Sequence, residues 1–479
     1  MILTAMLFVF VIGYLFIALE HPFKINKAGS ALLTGTVLWV MYVFAAPDLI
    51  PSVSFEEFQH FLQSSPALLS ESFRDQCIHF VVDHQLIHCI GEIAETLIFL
   101  IGAMITVELI DVHGGFLFIT NRITTTNKRK LLVIIAMLTF FMSAALDNLT
   151  SSIVMIMLIR KLIGNFKERW VFGSIIIIAA NSGGAWSPIG DVTTIMLWVR
   201  GNISTSATIP NLILPSIVSA LIPVLIATRF LHGNVTPPIY FQEEDNDELL
   251  KELKTKEKLS ILIIGVLCLI FVPIFKTVTH LPPFLGILLG VGILWVYTEI
   301  MYRRDTINED LKLRLSKVVR RIDGATLLFF LGILLAVDVL RFSGILGSFS
   351  VWLDQTVGNV YAVNMVIGAL SAIVDNVPLV AGAIGMYPVA TEAMVAASAN
   401  PEYMMNFVQD GTFWQFLTYC AGVGGSMLII GSAAGVVVMG LERINFMWYL
   451  KRITWMAAIG YIAGALVYML QKWLINLYL

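Results

Sequence analysis

The feature that most constrains the fold of this chain is a series of apolar segments, each long enough to cross a lipid bilayer. They lie at about residues 2–20, 28–46, 86–111, 129–159, 171–199, 208–230, 258–300, 324–342, 361–386, 412–441 and 448–479. Because lipid offers no hydrogen-bond partners, backbone inside it has to form helices or a closed barrel. Segments of this length, in a chain that is 58% hydrophobic and 13% charged, predict an all-α membrane protein with many spans.

Composition also excludes several functions. The net charge of −3 comes from 30 basic and 33 acidic residues, so there is no basic surplus that would bind nucleic acid. No phosphate-binding loop, zinc motif or nucleophilic triad occurs in the sequence. We therefore expect a protein that is not an enzyme, needs no cofactor and has no nucleic-acid partner.

Lysine and arginine predict the orientation of the spans, since loops on the inner side of a membrane are enriched in them. The first segment has no basic region before it and no cleavage site, so we expect it to be retained as a helix. With the N-terminus outside a cell inner membrane, the basic residues face inside with the exception of Arg74, Arg200, Lys276, Arg341 and Lys472.

The same rule predicts two segments that enter the membrane without crossing it. Basic residues at 128–130 and 160–161 flank one apolar segment, so both of its ends face inside and it forms a hairpin. The segment at 361–386 lies in a stretch without basic residues between Arg341 and Arg443, which fits a second hairpin that enters from outside. The two re-entrant hairpins therefore have opposite orientations.

The hairpin tips belong to an internal repeat. Ser143–Asn148 and Ser371–Asn376 are identical at four of six positions, at an offset of 228 residues. The glycine-rich stretches Asn181–Ala185 and Gly422–Ser426 follow in the same order, at an offset of 241. Halves of opposite orientation with broken helices in matching places are typical of inverted-repeat secondary transporters. Close packing of helices through small residues is the alternative explanation for some of the glycines.

Asp147 and Asp375 stand at the two tips, within apolar sequence that places them near the middle of the bilayer. A carboxylate there is costly and indicates function, although each could also cap the helix that follows it. Competition of Na⁺ and H⁺ for one carboxylate is the simplest exchange chemistry for such a site. We predict an ion and proton site at Asp147, Asn148, Thr150, Asn181, Ser182, Asp191, Thr193, Thr194, Asp375, Asn376, Ser426 and Ser432, with Na⁺ at Asp147, Asn148, Asp375 and Asn376.

Other acidic residues in apolar segments have two interpretations. Glu95 and Glu108 could line a proton path or pair with a basic residue. Asp338 could join that path, but it lies three residues before Arg341, which favours an ion pair within one helix. A histidine cluster at 79, 84 and 88 would either sense pH or lie exposed without function.

At Asp147-Asn148, at Asn181–Gly184 with Gly190-Asp191, and at Asp375-Asn376, the chain resembles NhaD-type Na⁺/H⁺ antiporters of the ion transporter superfamily. The resemblance runs from about residue 86 to the end. It implies exchange of cytoplasmic Na⁺ or Li⁺ for external H⁺, with Na⁺ as a transported ligand and no cofactor. It also implies a homodimer in which a scaffold domain supports a transport domain that carries the two hairpins and moves like an elevator.

On this basis the chain divides into five parts. They are 1–85, N-terminal scaffold helices and an outer segment; 86–231, the first inverted repeat; 232–257, a cytoplasmic loop; 258–323, scaffold helices and an interfacial helix; and 324–479, the second inverted repeat. Prolines 273, 282 and 283 divide the long segment 258–300 into two helices joined near 277–283.

Two other functions have to be weighed. Dicarboxylate carriers of the superfamily have Ser-Asn-Thr at their hairpin tips, whereas the triplets here begin with Asp147 and Asp375, whose charge repels an anion. A dicarboxylate, citrate or oxyanion transporter is therefore the second hypothesis. An intramembrane aspartyl protease using Asp191 and Asp375 fits less well, because the glycine expected before Gly190-Asp191 is absent and Asp147 is left unexplained.

Overall fold

A computed structural model describes residues 2–18, 24–116, 123, 125–236, 253–303 and 315–478 of the 479. Within these ranges the regular elements are helices, and eight of them are long and apolar enough to cross a membrane. The chain is thus a multi-pass, all-α membrane protein, as predicted. Residues 237–252 of the predicted cytoplasmic loop and 304–314 of the predicted interfacial helix lie outside the described residues.

We number the helices along the chain. They are α1 (Ile2–Ala18), α2 (Lys27–Val53), α3 (Phe55–Ser64), α4 (Phe73–Val112), α5 (Lys128–Leu146), α6 (Asn148–Leu162), α7 (Phe166–Ala185), α8 (Val192–Val199), α9 (Thr205–Phe230), α10 (Thr255–Thr279), α11 (Pro283–Tyr302), α12 (Leu315–Val319), α13 (Gly324–Phe342), α14 (Ile345–Thr356), α15 (Val360–Ser371), α16 (Asn376–Met386), α17 (Glu392–Ala397), α18 (Pro401–Met404), α19 (Thr412–Gly424), α20 (Ala433–Glu442), α21 (Phe446–Arg452) and α22 (Thr454–Tyr478). Short 3₁₀ helices follow α3 and α18, at Pro66–Ser70 and Met405–Phe407.

Helix boundaries follow local sequence signals. Asparagine side chains cap several N-termini; that of Asn26, for example, accepts a hydrogen bond from the backbone of Ala28 at the start of α2. The predicted division near 277–283 is confirmed, because α10 ends at Thr279 and α11 begins at Pro283. A π-helical turn at Phe80–Leu86 interrupts α4, a feature that short sequence patterns do not reveal.

The first helix group consists of α1, α2, α4, α10, α11 and α13, which pack against one another. Its closest contact joins α2 to α13, where Gly35 and Gly332 let the two backbones meet. A Cβ atom at Gly332 would clash with the backbone of Ala31 and Leu32, so no larger residue fits between these helices. Small residues at such crossings are the usual means by which membrane helices approach closely.

The second helix group consists of α5–α9, α15, α16, α19, α20 and α22. Within it α5 packs on α7, and α15 packs on α19 in the same manner. Its contacts with the first group run mainly through α8, which touches α4, and through α16, which touches α13. The two short helices α8 and α16 therefore lie where the groups meet.

Candidate functional site

The first tip is a single residue between two helices. Asp147 separates α5 from α6 and has a backbone φ of 122°, a strained value for a residue with a side chain. Its carboxylate accepts hydrogen bonds from the Thr150 backbone N at 2.7 Å and the Thr150 hydroxyl at 3.0 Å. The Asp147 side chain thus caps its own helix, the alternative that the sequence left open, and this leaves Asn148 free to point elsewhere.

At the second tip, unlike the first, the aspartate forms an ion pair with a lysine. Asp375 caps α16 through the Val377 backbone N at 3.4 Å, while its other oxygen lies 2.9 Å from the Nζ of Lys27. Lys27 is the first residue of α2, in the first helix group. The Asp375 carboxylate is 16% exposed and already paired with a cation of the protein.

Two broken helices stand beside the tips. Helix α7 ends at Ala185 and α8 begins at Val192, with Asp191 capping α8 through the Thr193 backbone N and hydroxyl, each at 3.0 Å. The Thr194 hydroxyl accepts from the Asp191 backbone N and completes a capping box. In the other break, Ser432 caps α20 through the Gly435 backbone N at 3.2 Å.

The contacts that hold these segments recur at the offsets found in the sequence. The Ser143 hydroxyl donates to the carbonyl of Ala180 at 2.6 Å, and the Ser371 hydroxyl donates to that of Ala421 at 2.8 Å. A Cβ atom at Gly183 would clash with the carbonyl oxygen of Phe140, and one at Gly424 would clash with that of Gly368. Glycine is required at both places because the helices touch backbone to backbone.

Asp191 lies at the centre of the site and is 1% exposed. One of its oxygens accepts from the amide nitrogen of Asn148 at 2.7 Å. The amide nitrogen of Asn376, on the other tip, lies 3.3 and 3.4 Å from the two oxygens. Asn148 and Asn376, one from each tip, therefore converge on one carboxylate at the N-terminus of α8, whose positive end favours negative charge.

Asn181 connects this carboxylate to the second break. Its side-chain oxygen accepts from the Asn148 amide at 3.1 Å, and its nitrogen donates to the hydroxyls of Ser426 at 3.0 Å and Ser432 at 2.9 Å. Ser182 instead turns toward α9, where its hydroxyl accepts from that of Ser219 at 2.9 Å. The structure thus joins eight predicted residues through direct hydrogen bonds: Asn148, Asn181, Asp191, Thr193, Thr194, Asn376, Ser426 and Ser432.

This arrangement can hold a proton or a small cation. A buried carboxylate has to be stabilised, and here the amide N–H groups of Asn148 and Asn376 do so in part by hydrogen bonding. Rotation of an amide by half a turn presents its oxygen instead, which is the ligand that hard cations prefer. Among the described residues, no group of three or more His, Cys, Asp or Glu side chains could hold a resident metal.

Two of the predicted proton-path residues, Asp338 and Glu108, lie in ion pairs. Asp338 lies 3.3 Å from Arg341, as the i, i+3 spacing suggested, and 3.9 Å from Arg200, while the Cys89 thiol donates to it at 3.0 Å. Glu108 lies 3.6 Å from Arg321.

Glu95 has a different setting from those two acids. It lines a cavity of about 370 Å³ with Glu92, Arg200, Asn202 and Arg341. Glu92 lies 3.4 Å from Arg200 and 3.5 Å from Arg341. This cavity therefore opens at the contact between α4, α13 and the end of α8.

The three histidines, predicted to form a cluster, each have different partners. His79 is exposed and pairs with Asp83 at 2.8 Å, and His88 pairs with Glu92 at 3.2 Å. The His84 ring stacks on Phe80 with centroids 5.3 Å apart. The four cysteines are free and buried.

Glu442 is a charged residue that the sequence analysis missed. Its side chain is 1% exposed and accepts from Nε of Arg160 at 2.6 Å and Nε of Arg169 at 2.7 Å, while the Trp170 indole donates to its backbone oxygen at 3.0 Å. It thereby ties α20 to α6 and α7. The sequence signal that could have identified it is an acidic residue at the end of an apolar helix.

We expect Glu442→Gln to destabilise the protein by about 1–3 kcal/mol, because two partly exposed arginines would lose their charged hydrogen-bond acceptor. The thermal midpoint of the purified protein in detergent measures this. Glu392→Gln is the matched control, since Glu392 is an exposed acid at the start of α17. Equal midpoints for the two variants would contradict the prediction.

Several proteins of known name resemble this chain. Residues 14–408 match the CitMHS family, described as a citrate transporter. Sodium/proton antiporter 2 of Arabidopsis thaliana is 39% identical, over 97% of this chain and 98% of that protein. Sodium/proton antiporter 1 of the same organism is 40% identical, over 97% of this chain and 72% of that protein. The Na(+)/H(+) antiporter NhaD of Vibrio cholerae is 28% identical, over 97% and 91%.

Proposed function

Because the chain belongs to the CitMHS family and, within it, to the NhaD-type sodium/proton antiporters, we propose that it exchanges Na⁺ or Li⁺ for H⁺ across its membrane. The observation that carries this proposal is the buried carboxylate of Asp191, on which Asn148 and Asn376 converge from the two tips. A site with one central carboxylate, two further carboxylates at its edge and several neutral oxygens suits a small cation.

The exchange follows from the charge at the centre. An empty Asp191 carboxylate is costly to keep buried, so it binds either a proton or a cation, and each excludes the other. A bound Na⁺ would take oxygens from Asp191, Asn148, Asn181 and Asn376 once the amides rotate. Asp147 and Asp375 then act at the edge of the site, where each caps the helix that begins directly after it.

The movement we propose is of the elevator type. The recurrence of tip and break contacts at offsets of 228 and 241 supports two inverted repeats, with α5–α6 and α15–α16 as opposed re-entrant hairpins. In this proposal the second helix group carries the ion, the first group is the scaffold, and two such chains form a homodimer. The N-terminus lies outside the cell inner membrane, as the basic residues indicate.

A second function, transport of citrate or another dicarboxylate, is favoured by the description of the family. The same site weighs against it, since Asp147, Asp191 and Asp375 bring three carboxylates close to the position of the substrate. An anion would need a cation there to offset these carboxylates, and Lys27 is already paired with Asp375.

The test is collapse of a pH gradient in everted vesicles, measured with a pH-sensitive dye. We expect Na⁺ or Li⁺ to collapse the gradient and citrate to leave it unchanged. Asp147→Asn should lower the initial rate by about tenfold or more, because the tip loses its charge while the asparagine still caps α6. Collapse by citrate and none by Na⁺ would establish the second function instead, and full activity of Asp147→Asn would remove this residue from the site.

A further inference from the structure

A groove of about 290 Å³ runs between α5 and α9 of the second helix group. Its floor consists of four buried side chains, Ala136, Phe140, Ala220 and Val224, and its rims consist of side chains that are partly or largely exposed, Val133, Met137, Phe141, Ile217 and Leu221. Both helices are apolar enough to lie in a membrane. Because all of these lining side chains are apolar as well, the groove suits a hydrocarbon chain and not water.

One end of the groove is basic. Arg129 donates from Nε to the backbone oxygen of Leu231 at 2.8 Å, so its guanidinium group bridges the start of α5 and the end of α9. Lys130 is exposed and stands three residues before Val133 and seven before Met137, on the face of α5 that lines the groove. The apolar lining therefore begins about 5 Å along α5 from the level of Lys130.

The charges of Arg129 and Lys130 are not offset by an acid in the part of the chain that the structure describes. Their neighbour Lys128 differs, since its Nζ lies 2.9 Å from the carboxylate of Glu168. The Nε contact of Arg129 is with a neutral carbonyl, which leaves both terminal nitrogens of the guanidinium group to bind something else. Both residues also lie in the first turn of α5, where the helix dipole disfavours cations. An anion at this end of the groove would relieve both effects.

We propose that the groove is a binding site for an anionic phospholipid. Its phosphate binds Arg129 and Lys130, and one of its acyl chains lies between α5 and α9. A guanidinium group can donate two parallel hydrogen bonds to a phosphate, and basic pockets between membrane helices favour anionic headgroups. The apolar groove alone would accept the chain of any lipid, so the two cations at its end are what select an anionic one.

A lipid in this groove acts on the hairpin through α5. Phe140 belongs to the floor of the groove, and its backbone oxygen is the atom that α7 approaches at Gly183. A bound acyl chain therefore packs on the outer side of α5 at the level where its other side meets α7. Because such a lipid binds the folded protein and not the unfolded chain, it should raise the thermal midpoint.

The test is lipid binding to the full-length protein in detergent, measured by native mass spectrometry. The probes are phosphatidylglycerol and phosphatidylcholine with the same acyl chains. We expect the first phosphatidylglycerol to bind about 30-fold more tightly than phosphatidylcholine, since each of the two basic residues contributes about fivefold. The double variant Arg129→Gln/Lys130→Gln should lose this preference. Lys451→Gln/Arg452→Gln, which changes an exposed basic pair at the end of α21, is the control and should keep it.

A second variant tests the groove without changing its charge. Ala220→Leu places a larger side chain in the floor and should weaken phosphatidylglycerol binding on the order of tenfold, because the acyl chain loses packing contacts. The rise in thermal midpoint on adding this lipid should disappear as well. Without added lipid the midpoint should not fall, since the leucine enters open space. Ala5→Leu, at an exposed alanine of α1, should bind lipid as the wild type does.

Two results would overturn the proposal. Equal binding of the two lipids by the wild type, or an unchanged preference in Arg129→Gln/Lys130→Gln, would mean that only unselected bilayer lipid meets this surface. Efficient disulfide cross-linking of two chains through Met137→Cys in liposomes would assign the groove to a second copy of the protein, since the native cysteines are buried. None of these measurements involves transport, so their outcome is independent of the proposed antiport.

Discussion

Asp191→Asn is expected to lower Na⁺-driven H⁺ movement by about 100-fold or more. The substitution removes the one carboxylate that both tips contact, so neither a proton nor a cation is held at the centre. Asparagine is as good a helix cap as aspartate, and α8 should keep its bond to the Thr193 backbone. The loss should therefore be one of transport and not of folding. Initial rates in proteoliposomes, normalised to the amount of inserted protein, measure it.

The control for this prediction is Asp323→Asn. Asp323 also caps a helix, α13, through the backbone N atoms of Ala325 and Thr326, but it is exposed. Its variant should transport at the wild-type rate. If Asp191→Asn retained more than about a tenth of the wild-type rate, the central role of this carboxylate would have to be abandoned.

Gly183→Ala is expected to destabilise the protein. The new methyl group would meet the carbonyl oxygen of Phe140, and either α5 or α7 would have to move. Such overpacking costs about 1–3 kcal/mol or more, although alanine by itself favours a helix over glycine. We expect a lower thermal midpoint in detergent. We also expect loss of transport, because Asn181, a residue of the site, lies within one helical turn of Gly183 in α7. Gly424→Ala should behave alike, because it meets Gly368 in the same way.

Gly440→Ala is the matched control for this pair. Gly440 lies in α20, and a Cβ atom there would have open space around it. The thermal midpoint of Gly440→Ala should equal that of the wild type or be slightly higher, whereas that of Gly183→Ala should be lower. If the thermal midpoint rose in Gly183→Ala and Gly424→Ala as well as in Gly440→Ala, the backbone contacts at Gly183 and Gly424 would not contribute to stability.

Local signals were sufficient to locate the helix breaks. Asp147 and Asp375 each precede an asparagine and can cap a helix, and the glycines after Asn181 and after Gly422 weaken regular helix in apolar sequence. The structure has its breaks at these places. A capping side chain acts within three residues of its own position, so this information is present in the sequence.

The partners of the charged residues could not be predicted in this way. The sequence placed Na⁺ at four tip residues, which remains a prediction, whereas the structure gives the two tip acids different surroundings. Asp147 bonds to Thr150 on its own helix, and Asp375 bonds to Lys27, 348 residues earlier. Glu442 and its two arginines are likewise separated by more than 270 residues. No pattern in the sequence relates such distant positions.

The sequence by itself determined that this protein lies in a membrane, that its helices break at two pairs of matched places, and that acids stand there. These are consequences of hydrophobicity, of backbone conformation and of capping, which act over a few residues. The tertiary structure alone decided that Asn148 and Asn376 meet at Asp191 and that Lys27 reaches Asp375. Those contacts depend on how distant helices pack, and packing is set by the shapes of many side chains together rather than by any one segment.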